Sequence, residues 1–243
     1  MKAIILAAGY ATRMYPLTEN TPKPLLPFRG STVIDHIITQ VNNIPGVDEI
    51  FVVTNSKFFS HFSQWAKTSE SKAKISVLDD GTSSNETRRG AVGDVQFAID
   101  ERNIDDEIVV VAGDNFFTYD LREQYDVYRK TGFDTLCGKE LDDAEKIKAF
   151  AVALLDESGK VIDLEEKPQK PKSNLAIYAT YFFKRDTVPL IKKYLDDGGN
   201  ADLIGAFPQW LYLRRDVHVY KMNGECYDIG TIEMYERLKE VNA

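Results

Sequence analysis

The strongest constraint on the fold is an alternation of short apolar runs with segments of helical periodicity in the first half of the chain. The runs are KAIILAA, DEIFVVTN, KISVLDD and EIVVVAGDN, and helical candidates lie over residues 32–43, around FFSHFSQWA and at AVGDVQFAI. Such alternation is typical of βαβ units. It predicts an α/β fold with a Rossmann-like mixed, mainly parallel sheet flanked by helices. In such sheets ligands bind beyond the carboxyl ends of the strands.

In the second half of the chain, strand-like runs follow one another without helical segments between them. After Asp134 the strand-like runs TLCGKEL, AFAVALLD, KVIDLEEKP and NLAIYATYFF follow one another closely. We expect them to form a smaller antiparallel lobe on the substrate side. With no repeat or linker in between, residues 1–243 are interpreted as one domain with two halves, 1–133 and 134–243.

A long segment without periodicity, LAAGYATRMYPLTENTPKPLLPF, separates the first strand from the first helix. It contains Pro16, Pro22, Pro24 and Pro27, which forbid a regular helix. Loops longer than about 12–15 residues are usually either functional or disordered. The leucines of this segment make it too apolar for a solvated tether, so the pattern favours function.

The same segment could bind an anion. Gly9 allows close approach of the backbone to a ligand, Arg13 offers a planar fork of donors, and Lys23 offers a mobile charge. Solvated surface cations are the plainer alternative. The chain has neither GxxxxGK[ST] nor a first-turn GxGxxG, so a P-loop hydrolase or dinucleotide binder is not expected.

Two carboxylates follow apolar runs far apart in the chain. Asp114 comes after IVVVAG, and Asp228 precedes Ile229 and Gly230. Each could cap a local turn. Together they could hold Mg²⁺, which prefers oxygen ligands and keeps water and substrate phosphates. Spacing alone leaves their convergence open.

Composition restricts the partners. The net charge of −8 argues against a general nucleic-acid binder, so an anionic ligand must meet local cations or a metal. The two cysteines give no disulfide framework and favour a reducing cytoplasm. The N-terminal apolar stretch ends at Gly9, which is short for a signal peptide, and no stretch is long enough to cross a membrane.

Four motifs give a specific resemblance. LAAGYATRMYPLTENTPKPLLP resembles the N-terminal motif of the sugar-phosphate nucleotidylyltransferases, LAAGxGTRM/LxPLT followed by PKPLLP. Gly113-Asp114, Glu166-Lys167-Pro168 and Asp228-Ile229-Gly230-Thr231 match the family's later motifs in the same order. The likeness spans residues 3–231.

The resemblance implies a role for each matching residue and a reaction in which a sugar 1-phosphate attacks the α-phosphorus of an NTP, releasing pyrophosphate. Residues 1–133 would form the nucleotide-binding half and 134–243 the acceptor-binding half. Arg13 and Lys23 would be catalytic, and Asp114 and Asp228 would bind Mg²⁺. The residues expected at the nucleotide are Leu6, Ala7, Ala8, Gly9, Asp80, Asn85 and Gly90. Those expected at the acceptor are Asn115, Ala151, Glu166, Lys167 and Tyr178.

Departures from the family pattern leave the substrates open. Ala11 replaces a glycine, a mild change if its φ is negative. Ala151 and Tyr178 replace smaller residues and should narrow a hexose pocket. A CTP-dependent enzyme for phosphocholine or another phosphorylated alcohol is therefore one alternative, since aromatic rings suit a quaternary ammonium. A non-catalytic nucleotide-binding regulatory module is another, and a homo-oligomer is possible.

Overall fold

The computed structural model describes residues 1–240, which form a nine-stranded mixed sheet with helices on both faces and two small two-stranded sheets. The strands are β1 Lys2–Leu6, β2 Pro27–Phe28, β3 Ser31–Thr32, β4 Glu49–Thr54, β5 Lys74–Asp79, β6 Ile108–Ala112, β7 Asn115–Phe117, β8 Asp134–Glu140, β9 Ala151–Leu155, β10 Val161–Glu166, β11 Leu175–Phe183, β12 Val217–Lys221 and β13 Cys226–Asp228. The helices are α1 Val33–Val41, α2 Phe59–Trp65, α3 Ala91–Arg102, α4 Leu121–Thr131, α5 Val188–Asp196, α6 Ala206–Leu211 and α7 Ile232–Glu240.

The four strands predicted from the first half are β1, β4, β5 and β6, and they pair in parallel in the order β6-β1-β4-β5. Alternate side chains of β1 enter different cores. Ile5 packs with residues of α1 and α2 on one face, and Ile4 packs with residues of α3 and α5 on the other. Both faces are covered, which is why the central strands β1 and β6 are mainly apolar. The predicted fold class is confirmed.

Helix α1 shows how local sequence sets an element. Thr32 caps its start: the Thr32 side chain accepts from the Asp35 backbone N–H, and the Asp35 carboxylate accepts from the Thr32 backbone N–H at 3.0 Å. Its apolar residues, spaced three and four apart, are all buried. The helix predicted over 32–43 is therefore observed over Val33–Val41.

The second half is mainly antiparallel, as predicted, but it continues the main sheet, and its strand β12 pairs in parallel with β8. The carboxyl part of β11 pairs antiparallel with β6, and its amino part pairs with β9. β8 pairs with both parts of β11, and its register shifts between Tyr178 and Tyr181. β11 thus joins the parallel strands to the antiparallel ones.

Three elements differ from the sequence-based expectation. Helix α4 was not expected because most of its residues are polar, although Leu121, Tyr125 and Tyr128 form a buried stripe. The short strand β7 was also missed. The segment PQWLYLRR has a helical pattern, but helix α6 ends at Leu211. The segment TIEMYERLKEV predicts a closing helix, and its last residue, Val241, lies outside the described residues. Within residues 1–240 no helix combines the length and apolar character needed to cross a membrane.

Candidate functional site

A cavity of about 540 Å³ lies beyond the carboxyl ends of β1 and β6. It brings together fifteen of the sixteen residues expected at the site, from both halves of the chain. These are Leu6, Ala7, Ala8, Gly9, Arg13, Lys23, Asn85, Gly90, Asp114, Asn115, Ala151, Glu166, Lys167, Tyr178 and Asp228.

Asp80 is the expected residue that does not line the cavity. Its side chain is buried behind the wall, and its Oδ1 accepts hydrogen bonds from the backbone N–H and the hydroxyl of Thr82, both at 2.7 Å. The carboxylate is therefore already engaged within the protein, and the structure does not bring it to the expected nucleotide site.

The proline-rich loop is ordered by its own apolar residues. Two 3₁₀ turns, Thr12–Met14 and Lys23–Leu25, replace regular structure. Met14 and Leu26 are buried in a small core with residues of α7. This packing holds exposed Arg13 and buried Lys23 on the cavity wall and agrees with the functional interpretation of the loop rather than with disorder.

Ala11 corrects one expectation. Its φ is +47° and its ψ 40°, in the left-handed region where a β-carbon is unfavourable. The replacement of glycine is therefore not the mild change expected for a negative φ. The conformation is held by a hydrogen bond from the Thr18 hydroxyl to the Ala11 carbonyl at 2.8 Å.

The centre of the cavity is an ion cluster. The Nζ of Lys23 lies 2.6 Å from Oδ2 of Asp114 and 3.6 Å from Oδ1 of Asp228. The two carboxylates converge because β13 pairs antiparallel with β7, which sets Asp228 opposite Asn115. The Ile229 backbone N–H also donates to the Asp114 carbonyl at 3.3 Å.

Gly113 allows this approach on the β1 side. Its N–H donates to the Leu6 carbonyl at 2.8 Å, and a β-carbon at position 113 would lie 2.6 Å from that same oxygen. A side chain here would push the turn before Asp114 away from β1. The glycine of the Gly-Asp motif is therefore required because a larger residue would clash with β1.

The cluster suits a divalent cation. Burial and the charge of Asp114 raise the pKa of Asp228, while Lys23 and Arg13 oppose the shift. An added cation would relieve this repulsion. Among residues 1–240 no group of three or more His, Cys, Asp or Glu side chains could hold a metal, so this pair would leave coordination positions to water and substrate phosphates. That is the donor set Mg²⁺ prefers.

A second arm of the cavity contains Glu166 and Lys167. Burial raises the pKa of Glu166. Its Oε2 lies 2.0 Å from where a β-carbon of Gly205 would be, so only glycine leaves room for this carboxyl. Lys167 has a φ of +50° and is anchored by its backbone N–H, which donates to the Phe150 carbonyl at 3.0 Å.

Aromatic rings form another wall of this second arm. The ring centroids of Phe150 and Tyr178 lie 4.9 Å apart, and Tyr178 is buried. The register shift in β11 places both Tyr178 and Tyr181 on the cavity, since an irregularity in pairing re-aims side chains.

Sequence reasoning missed three charged residues of the wall: Arg88, Asp94 and Asp202. Arg88 donates from Nε to Oδ1 of Asp202 at 2.9 Å and also bonds Oδ2, which joins the two halves across the cavity. Arg88 lies in the polar stretch DDGTSSNETRRGAVG, and Asp94 directly follows that stretch. Nothing in the sequence marked Asp202.

The fold and the site together define a class of protein. A cation–dicarboxylate cluster lies at the carboxyl edge of a mixed sheet, between an arm of the cavity lined by Asn85, Gly90 and Asp94 and an arm lined by Glu166 and Lys167. The chain belongs to the Nucleotidyl transferase family, whose sequence model matches residues 2–242. The resemblance seen in the four motifs is thereby confirmed.

Several relatives support the same family. The chain is 32% identical over 235 residues to the bifunctional protein GlmU of Methanocaldococcus jannaschii, covering 95% of this chain and 51% of the relative. It is 29% identical to the glucose-1-phosphate adenylyltransferase of Clostridium acetobutylicum, covering 95% and 64%. The chain thus spans between about half and two thirds of these relatives. A crystal structure of UDP-glucose pyrophosphorylase complexed with UDP-glucose has the same fold, with a TM-score of 0.82, 20% identity and coverage of 98% and 96%.

Proposed function

We propose that this protein is a nucleotidylyltransferase that transfers a nucleoside monophosphate from an NTP to a sugar 1-phosphate. The observation that carries the proposal is the single cavity in which Lys23 contacts both Asp114 and Asp228, between a nucleotide arm and an acceptor arm. Family membership and the names of the relatives, two of which refer to glucose, favour this reading over the phosphocholine and regulatory alternatives.

The reaction is a direct displacement. A phosphate oxygen of the sugar 1-phosphate attacks the α-phosphorus of the NTP, the bond from that phosphorus to the bridging oxygen breaks, and pyrophosphate leaves with the electron pair. No covalent enzyme intermediate is needed, because a phosphate oxygen is already a nucleophile. The protein's task is to align the two phosphates and offset their charge.

Lys23 and Arg13 supply positive charge to this step. Lys23 is buried at the junction of the two arms, where it can contact both the α-phosphate and the incoming phosphate. Arg13 is exposed on the 3₁₀ turn Thr12–Met14, where its planar donors suit the outer phosphates.

Asp114 and Asp228 would hold Mg²⁺ in this proposal. Bound there, the ion would offset the negative charge of the phosphates during transfer. Without it, two carboxylates and a triphosphate would share one cavity with few cations.

The acceptor arm suits a sugar phosphate. Glu166 can accept hydrogen bonds from sugar hydroxyls, and Lys167 can pair with the phosphate. Ala151 and Tyr178 add bulk to the wall, so we expect a narrowed hexose pocket. The product would be an NDP-sugar, a precursor of cell-surface polysaccharide made in the cytoplasm, where the free Cys137 and Cys226 would remain reduced.

The experiment is a cross of four NTPs with a panel of sugar 1-phosphates and phosphorylated amino alcohols, following pyrophosphate release with and without Mg²⁺. We expect turnover with at least one sugar 1-phosphate, dependent on Mg²⁺ and reduced by about 100-fold or more in Asp114→Asn and Asp228→Asn. Release only with phosphocholine would establish the first alternative. Nucleotide binding without any release would establish the regulatory one.

A further inference from the structure

A buried pair of carboxyl groups lies at the nucleotide side of the cavity. Asp94, on the first turns of α3, lines the cavity and is 6% exposed. Asp80, from the loop after β5, lies directly behind it and is 1% exposed. Oδ1 of Asp94 is buried and finds no hydrogen-bond donor among the described residues. Orphaned buried polar atoms are uncommon and often mark functional positions.

The charges around Asp94 favour its protonated form. Burial, the negative charge of Asp80 and a hydrogen bond to Asp80 that only the acid can make raise the pKa of Asp94 to about 8. Asp202 adds to this shift, and Arg89 opposes it. Arg89 is itself directed at the loop, since its Nε donates to the Asp80 carbonyl at 2.6 Å. Asp94 is therefore a neutral acid near neutral pH.

The position of Asp94 in the cavity indicates which part of the substrates it would contact. The phosphates belong at Lys23 and the acceptor belongs at Glu166, so the remaining arm, lined by Asn85, Gly90 and Asp94, is left for the nucleoside. Asp94 lies one helical turn beyond Gly90, because its backbone N–H donates to the Gly90 carbonyl at 2.8 Å.

We propose that Asp94 is a specificity-determining residue that accepts a hydrogen bond from an N–H group on the edge of the nucleobase, while Asp80 holds the proton of the pair in place. This proposal rests on the proposed function. It explains why a carboxyl can line a cavity built for a polyanion: as a neutral acid, Asp94 keeps an acceptor oxygen without adding repulsion to the triphosphate. It also accounts for an acceptor that the protein alone leaves unpaired.

An acceptor at this position discriminates between bases of the same size. Cytosine and uracil differ at positions 3 and 4, where one presents a donor and the other an acceptor, in opposite order. Adenine and hypoxanthine differ in the same way at positions 1 and 6. A side chain that contacts either position must favour one member of each pair, since a mismatch leaves a buried group unpaired.

The test compares nucleotides within these pairs. Dissociation constants for CTP, UTP, ATP and ITP are measured by calorimetry without acceptor, in the wild type, Asp94→Asn and Asp94→Ala. The control is Glu101→Ala, which removes a carboxyl group at an exposed position of the same helix. We expect the CTP/UTP ratio, the ATP/ITP ratio or both to change by about tenfold or more in Asp94→Ala, which loses the acceptor oxygen. Asp94→Asn keeps an acceptor oxygen and can donate an amide N–H to Asp80, so this variant and the control should keep the wild-type ratios.

The possible results distinguish recognition of the base by Asp94 from a purely structural role of Asp94. A uniform change for all four nucleotides in Asp94→Ala, or no change, would overturn the proposal, because a residue that only supports the arm cannot distinguish bases of equal size. Asp94→Asn keeps the shape, the neutrality and the acceptor oxygen, so changed ratios in this variant would also overturn the proposal, even if Asp94→Ala folds poorly. Failure of the proposed function would appear separately, as binding by the wild type without pyrophosphate release on any acceptor.

Discussion

At the scale of single residues, the site contains residues whose burial or backbone conformation is unfavourable in isolation. Lys23 is 8% exposed and lies between two carboxylates, Asp94 is a buried acid, and Ala11 has a left-handed backbone. Each of these features is costly unless the folded structure or a ligand compensates it. Each therefore gives a measurable prediction.

Lys23→Ala should lower kcat by about 100-fold or more, with less than about a threefold change in the KM for NTP. The reason is that an interaction strengthened in the transition state affects kcat, whereas uniform binding affects KM. Steady-state kinetics of pyrophosphate release would measure it, with Lys67→Ala, exposed and outside the cavity, as the control. An effect confined to KM would assign Lys23 to ground-state binding.

Ala11→Gly should raise the free energy of unfolding by about 0.5–1 kcal/mol, because glycine removes the steric penalty of the left-handed backbone. Urea denaturation would measure the change. Ala66→Gly is the matched control of opposite sign, since Ala66 has a φ of −59° at the end of α2 and should lose stability. Equal losses at both positions would show that Ala11 is not strained.

Asp94→Asn should change how stability depends on pH. The folded-state pKa of about 8 is above the ordinary aspartate value, so the folded protein binds the proton more tightly than the unfolded chain. The wild type should therefore lose stability as pH rises from about 4 to about 8, and the variant should lack this loss. We expect the difference in unfolding free energy, variant minus wild type, to grow by a few kcal/mol between pH 5 and pH 8.5.

Urea denaturation of wild type and variant across this pH range would measure the difference in unfolding free energy. The titration of other groups cancels in that difference, because both proteins contain them. Parallel pH curves would mean that Asp94 is not held as a neutral acid. This measurement is independent of nucleotide binding and of turnover.

At the scale of elements, short strands rather than long ones assemble the reactive centre. Helix α1 and strands β1, β4, β5 and β6 were predictable because their apolar periods are strong. The pairing of β7 with β13 was not, since each strand has three residues and the partners are separated by more than a hundred positions. Sequence therefore identified Asp114 and Asp228 singly, and only this pairing shows that they converge.

The same limit applies to the acceptor and nucleotide arms. Glu166 and Lys167 stood in a recognisable motif, but Gly205, which leaves room for Glu166, lies in a loop with no periodic signal. Asp80 was expected at the nucleotide, yet its carboxylate accepts hydrogen bonds from Thr82. Side-chain direction in a loop depends on local hydrogen bonds that a pattern of residue types does not specify.

The irregular register of β11 gives a prediction for the acceptor. The double change Ala151→Gly with Tyr178→Thr should increase the kcat/KM for glucose 1-phosphate by about tenfold or more relative to the native acceptor, because both side chains add bulk beside Glu166. Kinetics on one acceptor panel would decide it. Efficient use of glucose 1-phosphate by the wild type, with no gain in the double variant, would show that these positions do not restrict the pocket.

At the scale of the whole molecule, the two halves share one sheet and both faces of that sheet carry a core. We therefore expect residues 1–133 and 134–243 to unfold together as a single domain. The chain has two tryptophans, Trp65 on α2 in the first half and Trp210 on α6 in the second. Each can report on one half.

Two variants test this prediction: Trp210→Phe keeps only Trp65, and Trp65→Phe keeps only Trp210. In each variant we expect the fluorescence transition in urea to coincide with the circular dichroism transition. Coincident transitions are expected for a cooperative unit. Midpoints that differ between fluorescence and circular dichroism in either variant would divide the chain into two domains.

The position of β11 in the chain has a consequence for synthesis. On the ribosome, the parallel strands through β6 emerge long before Leu175–Phe183, the segment that will pair with β6. Until then, the apolar edge at Val109, Val110 and Val111 is open to any neighbouring strand. Because unpaired edges invite association between nascent chains, this interval is when the protein most needs a chaperone.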